Sequence, residues 1–137
     1  MDITTKLHEI STLLSTFKKQ LINLYDITDI ALTDAKKSNL KKYELNQFYT
    51  DYRNDKFLKD CYISLINPFN HFIKNNITKK TIYNDILIDS ILVHISLILY
   101  THNNAIKNAN HHFSDDGYCL IKSFDFSMLV QFKDSLI

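Results

Sequence analysis

Histidines and carboxylates offer the widest chemistry in this sequence, and three of its six histidines lie close together. His102, His111 and His112 are followed by Asp115 and Asp116. Zinc ligands on a helix normally stand three or four residues apart so that they converge on the ion. His111 and His112 are adjacent and point about 100° apart on a helix, and the sequence contains no HExxH or CxxC pattern. The pattern favours a solvated polar helix end, and we expect no metal ion and no other cofactor.

A second candidate is His94, which Val93 and Ile95 flank in the most apolar part of the chain. With Asp89 or Ser90 about one turn away, it has the composition of a general base with an orienting partner. A histidine in such surroundings is more often a core residue that is hydrogen-bonded to a carbonyl or a hydroxyl. We therefore predict a structural His94. The alternative is a helical enzyme or small-ligand binder that uses this residue.

The remaining catalytic patterns are weak. Asp85 and Asp89 stand four residues apart, and paired carboxylates can exchange protons or bind Mg²⁺. Acidic residues at a helix start are also favoured by the helix dipole alone, which is the stronger interpretation of Asp85. Gly117 is the only glycine, so phosphate-binding loops, dinucleotide fingerprints and GxSxG are excluded. We therefore expect a protein that is not an enzyme.

The stretch Thr81–Tyr100 would position most of these residues. Its apolar run is too long for a buried strand, so it predicts a helix, capped by Thr78 or Thr81 and continuing to about His112. A helix that is apolar on most of its circumference must be surrounded by other elements or by lipid. A membrane span needs about 20 mainly apolar residues, and this run is shorter. We predict a central buried helix and no membrane association.

Specific positions on this helix follow from its pattern. Six residues are predicted to be mostly buried: Ile86, Ile91, Val93, Ile95, Leu97 and Ile98. Four polar residues predict one narrow solvated stripe: Asp85, Asp89, Ser96 and Asn103.

Apolar residues at steps of three and four predict further helices before the central one. The first spans Asp2–Tyr25, with the stripe Ile3, Leu7, Ile10, Leu14, Phe17, Leu21 and Leu24. Asp26 or Thr28 caps a second helix, in which Ile27, Ile30, Ala31 and Ala35 face inward. A third spans Leu40–Tyr52, and a fourth begins at Asn54-Asp55. Pro68 should end or kink the fourth helix, because proline lacks an N–H.

After the central helix, the run 114–117 (Ser-Asp-Asp-Gly) predicts a turn. Tyr118–Lys122 is predicted to be a short extended segment, and Ser127–Ile137 a final helix. The 137 residues are 45% hydrophobic, which suits one domain with one core. The predicted fold is an all-α, single-domain bundle of about six or seven helices around the central helix, covering residues 1–137.

Charge and cysteine usage bound the partners and the compartment. The net charge is +1, and the sequence contains a single arginine, Arg53. Nucleic-acid binding usually shows a clustered basic face with frequent arginine, so we expect no nucleic acid. Cys61 and Cys119 lie among apolar residues and are predicted to be buried free thiols. The segment Met1–Ser11 lacks a basic region followed by an apolar core, so we expect a reducing, cytoplasmic location.

Two groups of residues are candidates for a protein interface. Aromatic residues concentrate in 43–62, and some of them cannot fit a single core-facing stripe, which suits an interface. The alternative is a broad core face with tyrosine hydroxyls at its edge. The C-terminal part is acidic and suits a basic partner. The predicted partner-binding residues are Asp115, Asp116, Tyr118, Asp125, Asp134, Tyr49 and Tyr52.

In size, composition and lack of catalytic motifs, the whole chain resembles the small immunity proteins of contact-dependent inhibition and other polymorphic toxin systems. The resemblance implies a protein that binds a cognate toxin domain acting in the cytosol, such as a nuclease, and blocks its active site. It carries over no site residue. The alternative is a phage or viral inhibitor, such as an anti-CRISPR protein or a helical Bcl-2-like decoy.

Overall fold

The computed structural model describes residues 2–112 and 114–137, and the side chains of all of these except residues 109–112. Five helices follow one another along these described residues. They are α1 (Ile3–Lys37), α2 (Lys42–Asn76), α3 (Asp85–His112), α4 (Asp115–Ser123) and α5 (Ser127–Leu136). The described residues contain no strand, so the predicted all-α class is confirmed. The predicted number of six or seven helices is wrong. Two predicted breaks do not occur, which lowers the number, and one segment predicted to be extended is helical, which raises it.

The first of these absent breaks lies in α1. The Asp2 carboxylate caps the helix by accepting a hydrogen bond from the Thr4 N–H at 3.0 Å. The predicted stripe is confirmed over Leu7–Leu24, which bury one side chain per turn. Beyond it, steps of four, four and three lead to Thr28, Leu32 and Ala35, so the same face continues without interruption. Two residues predicted to face inward lie on the opposite side and are exposed: Ile27 and Ile30.

The second absent break lies in α2, which runs without interruption through Tyr52 and Asn54. The helix begins after Lys41, whose N–H donates to the Glu44 carboxylate at 3.3 Å. Its buried face has the same steps of three and four as that of α1. The buried residues are Asp55, Leu58, Tyr62, Ile66, Phe69 and Ile73.

Pro68 does not end α2, which continues to Asn76. A proline removes the hydrogen bond to the carbonyl four residues earlier, here that of Ser64. Both Ser64 and Pro68 are exposed, so water can take the place of the missing N–H. Of the two outcomes predicted for this residue, an end or a kink, the first is wrong.

The helices α1 and α2 form an antiparallel hairpin around the short connection 38–41. Near its open end, the Ser11 hydroxyl donates to the Asn70 side chain at 2.9 Å. Closer to the connection, the hydroxyls of Tyr25 and Tyr52 lie 2.9 Å apart. Between these points the two apolar faces meet, and Phe17 packs edge-on against Tyr62 with ring centroids 4.8 Å apart. The core of the protein is therefore centred on this hairpin.

α3 lies against one side of the hairpin and is not the central helix. It begins after Asn84, whose side chain accepts the Leu87 N–H at 2.9 Å, and not at the predicted caps Thr78 or Thr81. Its predicted end at His112 is confirmed. Of the six residues predicted to be buried, Ile91, Ile95 and Ile98 are buried, and Ile86, Val93 and Leu97 are exposed. α3 contacts α2, α4 and α5. Its described buried residues lie on one face, and the opposite face is exposed.

The C-terminal third is helical where a turn and an extended segment were predicted. Ser114 caps α4 by accepting the Gly117 N–H at 3.0 Å, and the glycine is buried in the first turn with a negative φ. α5 confirms the predicted final helix and buries Leu129 and Phe132. The predicted burial of both cysteines is wrong: Cys61 is half-buried and Cys119 is exposed.

Candidate functional site

The predicted acidic partner-binding residues are exposed but spread over three places. Asp115 and Asp116 occupy the first turn of α4, where the helix dipole favours carboxylates. Asp125 precedes α5 and accepts the Ser127 N–H at 2.8 Å, and this hydrogen bond lowers its pKa. Asp134 lies seven residues beyond Ser127, the first residue of α5, or about 10 Å along the helix at 1.5 Å per residue.

The predicted tyrosines are already engaged inside the molecule. Tyr52 is half-buried and shares its hydroxyl with Tyr25, and this contact raises the Tyr52 pKa. The ammonium group of Lys36 lies 5.2 Å from the ring centre of Tyr49. The ring of Tyr118 has a similar contact with a lysine of its own helix, Lys122. The two α2 tyrosines therefore support the hairpin, and α4 begins beside that part of α2 through Ser114.

Of the three histidines considered for a metal site, His102 is the one whose side chain the structure describes. His102 is buried, and its Nδ1 lies 2.7 Å from the Tyr62 hydroxyl. Burial lowers the pKa of His102 to about 4 and raises that of Tyr62 well above its usual range. The side chains of His111 and His112 lie outside the described residues. Within the described part of the chain, no group of three histidine, cysteine or acidic side chains is placed to hold a metal ion.

His94 is held by aromatic rings. Its imidazole stacks on Phe69 at 5.1 Å with an interplanar angle of 13°, and Phe72 lies 5.2 Å away. Partial burial lowers its pKa, so it is mainly neutral near pH 7. Among the described residues, no hydrogen bond joins it to Asp89 or Ser90. The geometry is that of a packed side chain without an orienting partner.

Sequence reasoning missed a buried carboxyl group, Asp55. It is fully buried on α2 and accepts hydrogen bonds from the hydroxyls of Thr28 and Ser114. Burial raises its pKa. The signal was present in the spacing, because Asp55 lies three residues before Leu58 and seven before Tyr62 on the buried face. Its contacts join three helices and serve stability.

The most unusual surface is the outer face of α3. Large apolar residues are exposed there in one line: Ile86 (79%), Val93 (58%), Leu97 (47%) and Tyr100 (68%). Ser90 and Asn104 complete the line with steps of four, three, four, three and four. We call these six residues the α3 seam. The same alternation of three and four forms the contact stripe of helices that pack along one another.

Both polar and apolar residues border the α3 seam. On one border, a shallow groove is lined by Asp89, Leu92, Ser96 and Lys133, the last contributed by α5. The predicted solvated stripe belongs to this border: Asp85, Asp89 and Asn103 are exposed, and Ser96 is half-buried. The sequence therefore located the polar edge of this face, and the seam itself was mistaken for core.

By length and composition, Asp85–Asn108 also satisfies the criteria for a membrane span. It contains a stretch of 18 residues with a mean hydropathy of 1.4, of which 28% is buried inside the protein. One such helix is weak evidence, because core helices of soluble proteins pass the same test. Its inner face carries the buried polar residue His102, bonded to Tyr62. α3 therefore packs against the protein core on one face and leaves its other face exposed.

Comparison with known proteins finds no matching family model, no matching curated protein and no matching solved structure.

Proposed function

We propose that the protein acts by stoichiometric binding of another protein, whose amphipathic helix packs along the α3 seam. The observation that carries this proposal is the line of four large apolar side chains on the outer face of α3. Single exposed apolar residues are ordinary on protein surfaces, whereas a contiguous apolar patch marks an interaction site.

The spacing and length of the seam favour a helix as the docked element. Its alternating steps of three and four match the geometry of helices that cross at about 20°. From Ile86 to Asn104 the seam covers 18 residue steps, or about 27 Å at 1.5 Å per residue. A helix of five turns would cover this length, and its residues at the same spacing would bury the seam.

The charges around the seam favour one orientation of the partner. Asp85 and Asp89 are exposed at its N-terminal end, and Lys133 lies in the groove along its border. A basic residue near the two aspartates would be complementary. Exposed ion pairs contribute at most about 1 kcal/mol, so we assign these charges to orientation and association rate.

The resemblance to immunity proteins defines the class of partner that we propose. It is a cognate toxin domain acting in the cytoplasm, which the protein would neutralise by occlusion without performing catalysis itself. The acidic residues Asp115, Asp116, Asp125 and Asp134 stay a predicted second contact for a basic toxin surface. The α3 seam is the primary contact in this proposal.

The test is co-expression with the product of the neighbouring gene. We expect restored growth and copurification in equal amounts, and Val93→Asp with Leu97→Asp should abolish both. Ile30→Asp is the matched control, because Ile30 is an exposed apolar residue on α1, outside the seam. It should leave growth and copurification unchanged.

Three outcomes would contradict the proposal. The first is a complex that survives the Val93 and Leu97 substitutions. The second is a stable homodimer formed through the seam, detected by analytical ultracentrifugation at micromolar concentration. The third is flotation of the purified protein with phospholipid vesicles that depends on the same two residues, because it would identify the seam as a membrane contact.

A further inference from the structure

A separate concave site lies between α2 and α3, near the C-terminal half of α3. It encloses about 440 Å³, within the range of about 300–1,000 Å³ that is common for small-molecule sites. α2 and α3 each contribute both apolar and amide side chains to its lining. The cleft shares Asn104 with the C-terminal end of the α3 seam, and its other lining residues lie outside the seam.

The apolar part of the cleft is formed by Phe57, Leu58 and Ala105 together with the ring of Tyr62. Phe57 is 67% exposed, so its ring is accessible to a bound molecule. The Tyr62 hydroxyl is already bonded to His102. Tyr62 and Leu58 are buried, so Phe57 supplies most of the exposed apolar surface of the cleft.

The polar part of the cleft has unused hydrogen-bonding capacity. The carboxamides of Asn54 and Asn104 and the hydroxyl of Thr101 line it and make no side-chain hydrogen bond within the part of the chain that the structure describes. Asn108 donates its Nδ2 to the Asn104 carbonyl at 2.9 Å, which leaves its Oδ1 as an acceptor. A carboxamide presents a donor and an acceptor side by side. The cleft can therefore form paired hydrogen bonds with a flat polar edge.

The lining carries no formal charge. Its polar residues are asparagine and threonine, and the remaining titratable groups are Cys61 and Tyr62. Burial raises the pKa of the half-buried Cys61 thiol, which keeps it protonated near pH 7. A charged ligand would lose hydration on entry without gaining an ionic partner. This favours an uncharged ligand.

We propose that the cleft binds a small uncharged heteroaromatic molecule with a hydrogen-bonding edge, of the nucleobase type. The flat ring would stack on the exposed ring of Phe57, since bases stack well on aromatic side chains. The edge would face Asn54 and Asn104, because asparagine pairs with a neighbouring donor and acceptor on a base.

Cys61 allows a direct test in the purified full chain without any partner protein. In the Cys119→Ser variant, Cys61 is the only thiol, and its reaction with N-ethylmaleimide can be followed by mass spectrometry. We expect millimolar adenine to slow this reaction at least fivefold. The Cys61→Ser variant reports Cys119, which lies on α4 outside the cleft, and its rate should not change.

Two comparisons test the chemistry of the ligand. Benzoate, an aromatic anion of similar width, should not protect Cys61 at the same concentration. Asn104→Leu should remove the protection by adenine, whereas Asn23→Leu, which replaces an exposed asparagine on α1, should keep it. Circular dichroism establishes that both variants are folded.

Each opposite result overturns the inference. An unchanged rate of Cys61 modification in saturating adenine would exclude a nucleobase-type ligand. Equal protection by benzoate would contradict the preference for an uncharged molecule. Retained protection in Asn104→Leu would contradict the role of the amide edge. None of these results bears on the α3 seam, because the assay contains no partner protein.

Discussion

The Ser114 hydroxyl lies 2.8 Å from each carboxylate oxygen of Asp55, and its hydrogen bond links the start of α4 to the middle of α2. The Thr28 hydroxyl reaches the same carboxyl group from α1 at 2.5 Å. Three helices therefore meet at one fully buried acid. Among the described residues, its partners are hydroxyl groups and no cation pairs with it.

Removing this acceptor should destabilise the fold. Asp55→Ala leaves the Ser114 hydroxyl without its acceptor, whereas the Thr28 hydroxyl keeps the Leu24 carbonyl. An unsatisfied buried polar group costs about 1–3 kcal/mol. Asp55→Asn keeps a carbonyl acceptor of the same shape and should cost less. Urea unfolding at pH 7 measures both differences. Equal losses in the two variants would show that the hydrogen bonds contribute nothing.

The same residue should make stability depend on pH in an unusual direction for an acid. Burial raises the folded-state pKa of Asp55 above its unfolded value, so the folded state binds more protons between these two values. Its contribution is complete below the unfolded pKa, near about 4, and is lost as the pH rises through the folded pKa. The free energy of unfolding of the wild type, relative to Asp55→Asn, should therefore fall from pH 4 to pH 7. A difference that is constant across this range would contradict the assignment.

His102 should act in the opposite direction. Its folded pKa is lowered from 6.5 to about 4 by burial, so the unfolded state binds more protons between these values. The stability it contributes is present above pH 6.5 and is lost as the pH falls towards 4. A proton NMR titration should show one imidazole that stays neutral at pH 5, and His102→Gln should remove that signal. If every histidine imidazole had a pKa above 6, the result would contradict a buried His102 paired with Tyr62.

Two apolar residues of α3, two positions apart, should respond differently to truncation. Ile95 is fully buried, and Ile95→Ala should lower the free energy of unfolding by about 2–4 kcal/mol, from lost transfer energy and a cavity. Leu97 is 47% exposed, and Leu97→Ala should stay within about 0.5 kcal/mol of the wild type. Chemical denaturation of the isolated protein measures both. A large loss in Leu97→Ala would mean that the seam is core.

The sequence predicted buried residues correctly where the spacing along a single helix determines which of its residues face the core. The α1 stripe and the buried positions Ile91, Ile95 and Ile98 follow from periodicity alone. Periodicity does not say how many neighbours a helix has, so the most apolar run was placed at the centre although only one of its faces is covered. The seam residues Ile86, Val93 and Leu97 were misassigned for this reason.

The two false helix breaks have a common physical cause. Polar clusters around Thr28 and Asp55 were interpreted as caps because their local signals favour helix starts. In the hairpin these two residues face each other and bond across it at 2.5 Å. The polar side chains that had suggested helix ends therefore form contacts between the two helices. The cleft lining and the pair between His102 and Tyr62 depend on the same packing of distant segments and could not be obtained from local patterns.

The hairpin also bears on the order in which the chain folds. α1 and α2 are joined by the short connection 38–41, so the contacts nearest to it close small loops at little entropic cost. The bond between Ser114 and Asp55 closes a loop of 59 residues and must wait until α3 is in place. Topologies rich in local contacts fold rapidly, and the nucleus should therefore lie in the hairpin near Leu32 and Ala35. Truncations there should slow folding, whereas changes at the attachment of α4 should mainly speed unfolding.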